Sequence, residues 1–551
     1  MIISRLTTQL IVSFLVLCVL TAQAEQPESP YTTAYRYTPS GLLLGVIKPD
    51  PDAAGPRKHP ALRNTYNERN LLIRVEEGEL SSWLSDESIA PADWGAAFTV
   101  HKTIEYTPDS FGRTSHELLK GTQGEISLTQ YSYNDDGLVE CKSVRMNSSA
   151  FGQLPASACD QGPRGSKGAD RITLYIYNQL RNVLSEARGL GTPEKQDYVK
   201  NTYSGTFLTS QTDANGNRTE LRYDEVNRLK KRVYPSKTRP GELDETDYNE
   251  YTYDANNNVR TERKRNGQIV THGYDNNNRL SSKDYSNNAT IKDVSYQYDL
   301  RGLQTQADFS ASEGITNQYD GFGNVAATTT HLEGNNRTIA FTYDQNNNRD
   351  SITHPDNNRF YYTFDGLNRV KGLSTLGNNT ANLLQVTYLA SGQRDSIIRP
   401  NNTKTSYQFN NGVQLSNFNQ YFVNLSSDYG ASFNYNPAGQ IDFFTQSNNQ
   451  FNFTGISDRI GNYNADGLNR YTSVAGVKFE YDGNNNLTFD GNLTFGYDTE
   501  NRLISAQNSR TSASLKYDPN GRLYQYTLNG QSREFVYAGD ALIAEYNSQN
   551  T

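Results

Sequence analysis

Apolar and polar residues alternate over short runs along most of the chain. Val294, Tyr296 and Tyr298 face one way with Ser295 and Gln297 between them; Val477, Phe479 and Tyr481, then Leu493, Phe495 and Tyr497, repeat the arrangement. Period two predicts β-strands with one apolar face. The runs end on an aromatic residue followed by Asp: Tyr223–Asp224, Tyr253–Asp254, Tyr274–Asp275, Tyr298–Asp299, Tyr319–Asp320, Tyr343–Asp344, Phe364–Asp365, Tyr481–Asp482, Tyr497–Asp498 and Tyr517–Asp518. After each come Asn or Gly, residues that tolerate positive φ, while the Asp can accept hydrogen bonds from backbone N–H groups two residues on. Arg228, Arg279, Arg349, Arg369, Arg470, Arg502 and Arg522 stand on the far side, where a guanidinium can meet the Asp or stack on an aromatic ring. Each unit therefore reads as a strand, a tight turn and a returning strand.

Spacing turns these units into a repeat. From Tyr223 to Phe364 the motif aromatics are 30, 21, 24, 21, 24 and 21 residues apart, and the long interval contains the loop Tyr234-Pro-Ser-Lys-Thr-Arg-Pro-Gly241. Degenerate copies precede the series at Tyr37, Tyr66, Tyr106, Tyr133 and Tyr177, and it resumes at Tyr481, Tyr497, Tyr517 and Tyr537. A lone hairpin cannot bury its aromatic face, so neighbours must pair side by side into a long sheet. The fold class is all-β, with antiparallel hairpins repeated along one long continuous sheet. The chain divides into a leader at 1–24, a degenerate repeat region at 25–200, regular repeats at 201–372, a second degenerate stretch at 373–433 and C-terminal repeats at 434–551.

Composition narrows the picture. Only 35% of the 551 residues are hydrophobic even with 38 Tyr included, so no thick aliphatic core is expected. A net charge of −8 with both signs interspersed indicates no nucleic-acid footprint. Arg5, the apolar run Leu10 to Leu20 and Ala22-Gln23-Ala24 read as a signal peptide cleaved after Ala24, which implies export to the periplasm, the cell surface or the medium. Only Cys141 and Cys159 remain beyond that segment, an even pair in an oxidising compartment and so a disulfide candidate that would stabilise by roughly 3 kcal/mol.

The phrases YDEVNRL at Tyr223, YDNNNRL at Tyr274, FDGLNRV at Phe364 and YDPNGRL at Tyr517 resemble the YD repeats of bacterial Rhs proteins, which are similar to the YD shells of teneurins and of insecticidal toxin-complex C components. The closing run Phe535-Val-Tyr-Ala-Gly-Asp540-Ala-Leu-Ile-Ala-Glu-Tyr546 resembles the phrase such chains carry towards the end of their repeats. The resemblance covers most of residues 31 to 546. It implies a spiralling β-sheet shell, which encloses a C-terminal toxin in polymorphic-toxin members and is displayed as an adhesion scaffold in animal members. Those toxin-bearing members continue into a self-cleaving core-associated segment; this sequence stops at Thr551, and Asp518-Pro519-Asn520-Gly521 reads as a turn within an ordinary repeat.

Catalytic signatures are lacking. The six His are scattered, His116-Glu-Leu-Leu-Lys120 lacks the second His of a zinc site, and neither a nucleophile elbow nor a phosphate-binding loop is present. Asp254, Asn256 and Asn258, like Asp344, Asn346 and Asn348, alternate oxygens as a calcium loop does, but Val259 and Arg349 occupy the sixth positions and Arg265 and Pro355 the twelfth. The reading is a non-enzyme without cofactor or metal. Two classes stay open: a shell that encloses or presents a toxin or shell-completing polypeptide, and a Tyr- and Asn-rich scaffold that binds glycans.

Overall fold

The computed structural model describes residues 31–547 except 54, 286–290, 311, 378–380, 411–412 and 456–460; the leader read at 1–24 lies outside the described residues. Thirty-two strands, from Ala34–Tyr37 to Ile441–Gln446, form one antiparallel sheet in which each pairs with the strands before and after it in sequence. A three-stranded piece, Tyr463–Ala465, Tyr471–Val474 and Val477–Lys478, leads to an eight-stranded sheet running from Glu480–Tyr481 to Ala541–Asn547. Through 373–433 the pairing continues, with the corner at Tyr388 carrying Leu389 where the regular corners carry Asp.

Because strands run antiparallel and in sequence order, successive connections fall on opposite edges of the ribbon. One edge carries the aromatic-Asp corners and the other carries loops. Immediately before the aromatic of each regular corner, at Tyr223, Tyr253, Tyr274, Tyr298, Tyr319, Tyr343 and Phe364, the pairing register shifts. Such bulges bend a strand and sharpen its twist. A bulge recurring at every regular corner bends the ribbon repeatedly in the same sense; loop-edge pairings carry shifts only at some positions, such as Val233/Tyr234 and Asp308/Ser310.

The ribbon consequently meets itself. Lys167 pairs with Asp442, Asn217 donates to Asn469 at 2.9 Å, the Asn266 N–H donates to Asn484 at 2.9 Å, Tyr285 donates to Glu500 at 2.9 Å and Arg337 to Glu534 at 2.7 Å. These partners lie 275, 252, 218, 215 and 197 residues apart, so the winding tightens towards the C-terminus. Corners of the later turn dock on loops of the earlier one: the Gly366 N–H donates to the Pro51 carbonyl at 3.0 Å and the Gly467 N–H to the Lys237 carbonyl at 3.1 Å. The last strands pack on the earlier turn, where Val536 and Ala538 share a buried cluster with Ile339, Phe341 and Ile352.

Burial is spread over small clusters, as the low apolar content requires. Near the N-terminus Ile47, Leu80, Trp94 and Phe98 form one, capped by the short 3₁₀ segment Pro91–Ala97. Cys141 and Cys159 form a disulfide with Cα atoms 5.2 Å apart, and Cys141 packs with Ala158 and Ile172. Beside it Arg145, almost fully buried, donates to Asp170 at 2.7 Å, and that carboxylate also accepts the N–H groups of Met146 and Gly162. With its lone pairs satisfied in this way, the buried ion pair fixes the fold of the loop closed by the disulfide.

Candidate functional site

The repeated corner is the structural unit that most of the singled-out residues build. At Asp224 the carboxylate Oδ1 accepts the N–H of Val226 at 3.0 Å and of Arg228 at 2.8 Å, while Oδ2 accepts the Arg228 guanidinium at 2.8 Å. The turn closes with the Asn227 N–H on the Asp224 carbonyl, and Asn227 takes φ 66°. That left-handed conformation disfavours most side chains and admits Asn and Gly. Asp275, Asp365, Asp498 and Asp518 hold Arg279, Arg369, Arg502 and Arg522 in the same way, at 2.7 to 2.8 Å. At Asp254, Asp320, Asp344 and Asp482 the residue four positions on is Asn, and its amide replaces the guanidinium at 2.9 to 3.0 Å. Arg349 therefore has no bond to Asp344: Asn348 occupies the pairing position, and Arg349, one residue further, lies over the Phe341 ring at 5.2 Å. At Asp299 the partner is Arg301, since Leu303 fills the usual place.

The aromatic and the cation also reach the next corner. Arg228 lies over the ring of Tyr253, Arg279 over Tyr298, Arg369 over Tyr388, Arg502 over Tyr517 and Arg522 over Tyr537, at 4.0 to 5.1 Å. The hydroxyl of each ring returns a bond to the previous corner: Tyr253 donates to the Leu229 carbonyl, Tyr274 to Val259, Tyr298 to Leu280, Tyr319 to Gln304, Tyr343 to Val325 and Tyr517 to Leu503. The left-handed residue adds a third link. Asn257 accepts from Arg228 at 2.7 Å, Asn278 from Asn256 and Asn258, and Asn368 from Asn348. Where that residue is Gly, the preceding Arg donates to backbone instead, as Arg279 does to the Asp299 carbonyl at 3.1 Å and Arg369 to the Gly392 carbonyl at 3.2 Å.

These bonds set the electrostatics. The backbone bond from Arg228 holds the Asp224 carboxyl below the usual range; the Asn258 amide does so for Asp254, and the Arg279 N–H for Asp275. Desolvation raises the Tyr253, Tyr274 and Tyr298 hydroxyls. At the tip of the Asp498 corner, Glu500 takes Tyr285 at 2.9 Å and Lys283 at 3.1 Å, with Lys264 3.7 Å away. Burial pushes its carboxyl up, yet Lys283 and Lys264 outweigh it and leave the group low; burial drives nearby Tyr296 up to about 12.

Two features the motif left unspecified are the destination of the Tyr hydroxyl and the hub at Glu500. Both join residues whose proximity depends on pairing register or winding. The Oδ1 atoms of Asp254 and Asp344 are taken up by N–H groups within the turn, and Asp518-Pro519-Asn520-Gly521 is an ordinary corner. Among the described residues no group of three His, Cys, Asp or Glu side chains comes together to hold a metal ion, and no helix is long and apolar enough to cross a membrane. Chemically, the corners are arranged to hold one sheet edge in register.

The RHS Repeat family model matches residues 205–239, which include the Asp224 corner. No curated protein matches the chain. Among solved structures, the crystal structure of TcdB2-TccC3-TEV aligns with a TM-score of 0.65, and those of TcdB2-TccC3 without its hypervariable C-terminal region and of TcdB2-TccC3-Cdc42 with 0.60 and 0.59, each at 12% identity. In each case 94% of this chain is covered and only 31% of the other, so the chain spans about a third of the length of the proteins it matches. The chain thus carries an RHS repeat around the Asp224 corner and shares the fold of these solved structures along nearly its whole described length.

Proposed function

We propose that this chain is an exported structural shell that encloses or presents a partner polypeptide in a polymorphic-toxin-type system. The observation that carries the reading is the winding of the chain back onto itself, with later corners, including those of the C-terminal sheets, seated on earlier loops. A ribbon wound in this way has a concave face, and every corner carboxylate described above is used in holding it. The matched crystal structures share TcdB2-TccC3 and differ in what accompanies it: TEV, Cdc42 or no hypervariable C-terminal region. The portion in common with this chain is thus the scaffold rather than the variable part. The signal-peptide reading places the shell beyond the inner membrane, and the disulfide suits that compartment.

The test is native-host purification followed by limited proteolysis and mass spectrometry. Expected is a second polypeptide in fixed ratio that resists protease until the shell is unfolded. A co-purifying polypeptide digested as fast in the complex as when free, or the reproducible absence of any, refutes enclosure.

A further inference from the structure

The inter-turn interface has two sides, corner edge above and loop edge below, and the winding leaves one of each unmatched. From Asp365 onwards several corner tips are covered by the earlier turn: Asp365, Asn484, Asp498 and Asp518 are buried. From Asn67 to Asp344 the corresponding tips are exposed, and several are apolar. Phe111 is 79% exposed, Val226 64% and Phe322 93%. Each stands two residues after the corner Asp, the position taken at docked corners by Leu367 and Leu468, which are partly buried.

Glycine placement marks the same edge. At two docked corners, Asp466 and Asp482, the residue after Asp is Gly and the earlier turn comes too close for a side chain: a Cβ on Gly467 would lie 2.1 Å from the Ser236 carbonyl oxygen, and one on Gly483 would lie 2.9 Å from the Asn266 Cβ; the docked corners Asp498 and Asp518 instead bury Thr499 and Pro519 at that position. Asp320-Gly321-Phe322 repeats the sequence of the docked corners Asp365-Gly366-Leu367 and Asp466-Gly467-Leu468. Yet nothing lies within 4 Å of a Cβ on Gly321, and its φ is not left-handed. Neither space nor backbone conformation within this chain calls for glycine there. On the opposite edge of the later turn, the loop that follows the strand Gln414–Tyr421 exposes Val423 to 72% and Leu425 to 80%. Single exposed apolar residues are ordinary; a row of them continuing an existing interface is not.

We propose that the two open edges are one intermolecular interface, in which the corner edge of the first turn seats on the loop edge of a second copy of this chain. The interface is heterologous, so association runs head to tail and is open-ended unless the rotation closes a ring. It stands whether or not the shell holds a polypeptide. Sedimentation velocity and light scattering on the purified mature chain test it. Self-association growing with concentration is expected, weakened about tenfold or more by Phe322→Asp or by Val423→Asp with Leu425→Asp. Gly321→Ala, which meets no atom in the monomer, should leave the melting temperature unchanged and weaken association. Each Asp variant keeps one intact edge, so mixing the two should restore a 1:1 dimer and nothing larger. A wild-type chain that stays monomeric at about 100 µM, where micromolar interfaces are saturated, overturns the proposal. So does an assembly that these substitutions leave intact, or a mixture that forms no dimer.

Discussion

Replacing Asp498 by Ala probes what holds a corner. Its carboxylate is 1% exposed and accepts the N–H of Glu500 at 2.9 Å, the N–H of Arg502 at 3.0 Å and the Arg502 guanidinium at 2.7 Å. Three bonds at about 1 kcal/mol each give a loss of about 3 kcal/mol. Leaving a largely buried guanidinium without its partner falls in the same range of about 3–5 kcal/mol. The lower figure is appropriate, because the Arg502 side chain is 21% exposed and lies over Tyr517. A repeat array does not unfold as one unit, so global melting is a poor readout. Hydrogen exchange of peptides covering 497–503 reads the corner itself, since exchange reports the local opening free energy. A loss of 3 kcal/mol is about a hundredfold faster exchange. Asp498→Asn, which keeps an acceptor for the two N–H groups, should show a smaller acceleration. Exchange changed by less than about threefold in Asp498→Ala would refute the reasoning. The corner would then be held by strand pairing and the left-handed Asn501 alone.

Tyr253→Phe removes only the hydroxyl bond to the Leu229 carbonyl and keeps the Arg228 stack, so a local loss of about 1 kcal/mol is expected from exchange at 228–230. Reduction of Cys141–Cys159 should lower stability of the surrounding loop by roughly 3 kcal/mol in the chain-entropy picture, measured as protease susceptibility of 142–170 with and without reductant. Acid should loosen the corner edge. The carboxyls of Asp224, Asp254 and Asp275 are held below their unfolded values, so their stabilisation is complete above the unfolded pKa and is lost as pH falls through the folded one. Exchange at these corners should accelerate below about pH 4, beyond the intrinsic rate change, and a profile matching that of corners with Asp replaced by Asn would contradict this.

Strand and corner were legible because both are local. Alternation at Val294, Tyr296 and Tyr298 marks a strand without knowledge of its neighbours, and Asp followed by Asn or Gly marks a turn for the same reason. The Tyr hydroxyl was legible only as a polar group that needs water or a partner. Its acceptor lies 14 to 24 residues back, across a ladder whose register includes a bulge that the motif does not announce. Arg349 shows the limit of counting: an Arg near the turn resembles the pairing cation, but one extra residue hands that role to Asn348. The winding was invisible to pattern altogether. Asp320-Gly-Phe and Asp466-Gly-Leu read alike, yet one tip is open and the other seated on Ser236 and Lys237, because which turn a repeat occupies is decided by the curvature summed over all the repeats between.

The sequential pairing of strands also bears on how such a chain reaches its structure. No strand of the long sheet waits for a partner far away in sequence, since each pairs with the next strand along the chain, and low sequence separation favours fast assembly. The distant contacts, those some 200 residues apart, close only between elements already formed. A polypeptide that emerges end-first can thus fold hairpin by hairpin, each new one templated by the exposed edge of the last. Aggregation risk is then confined to a single moving edge rather than to a long unpaired chain.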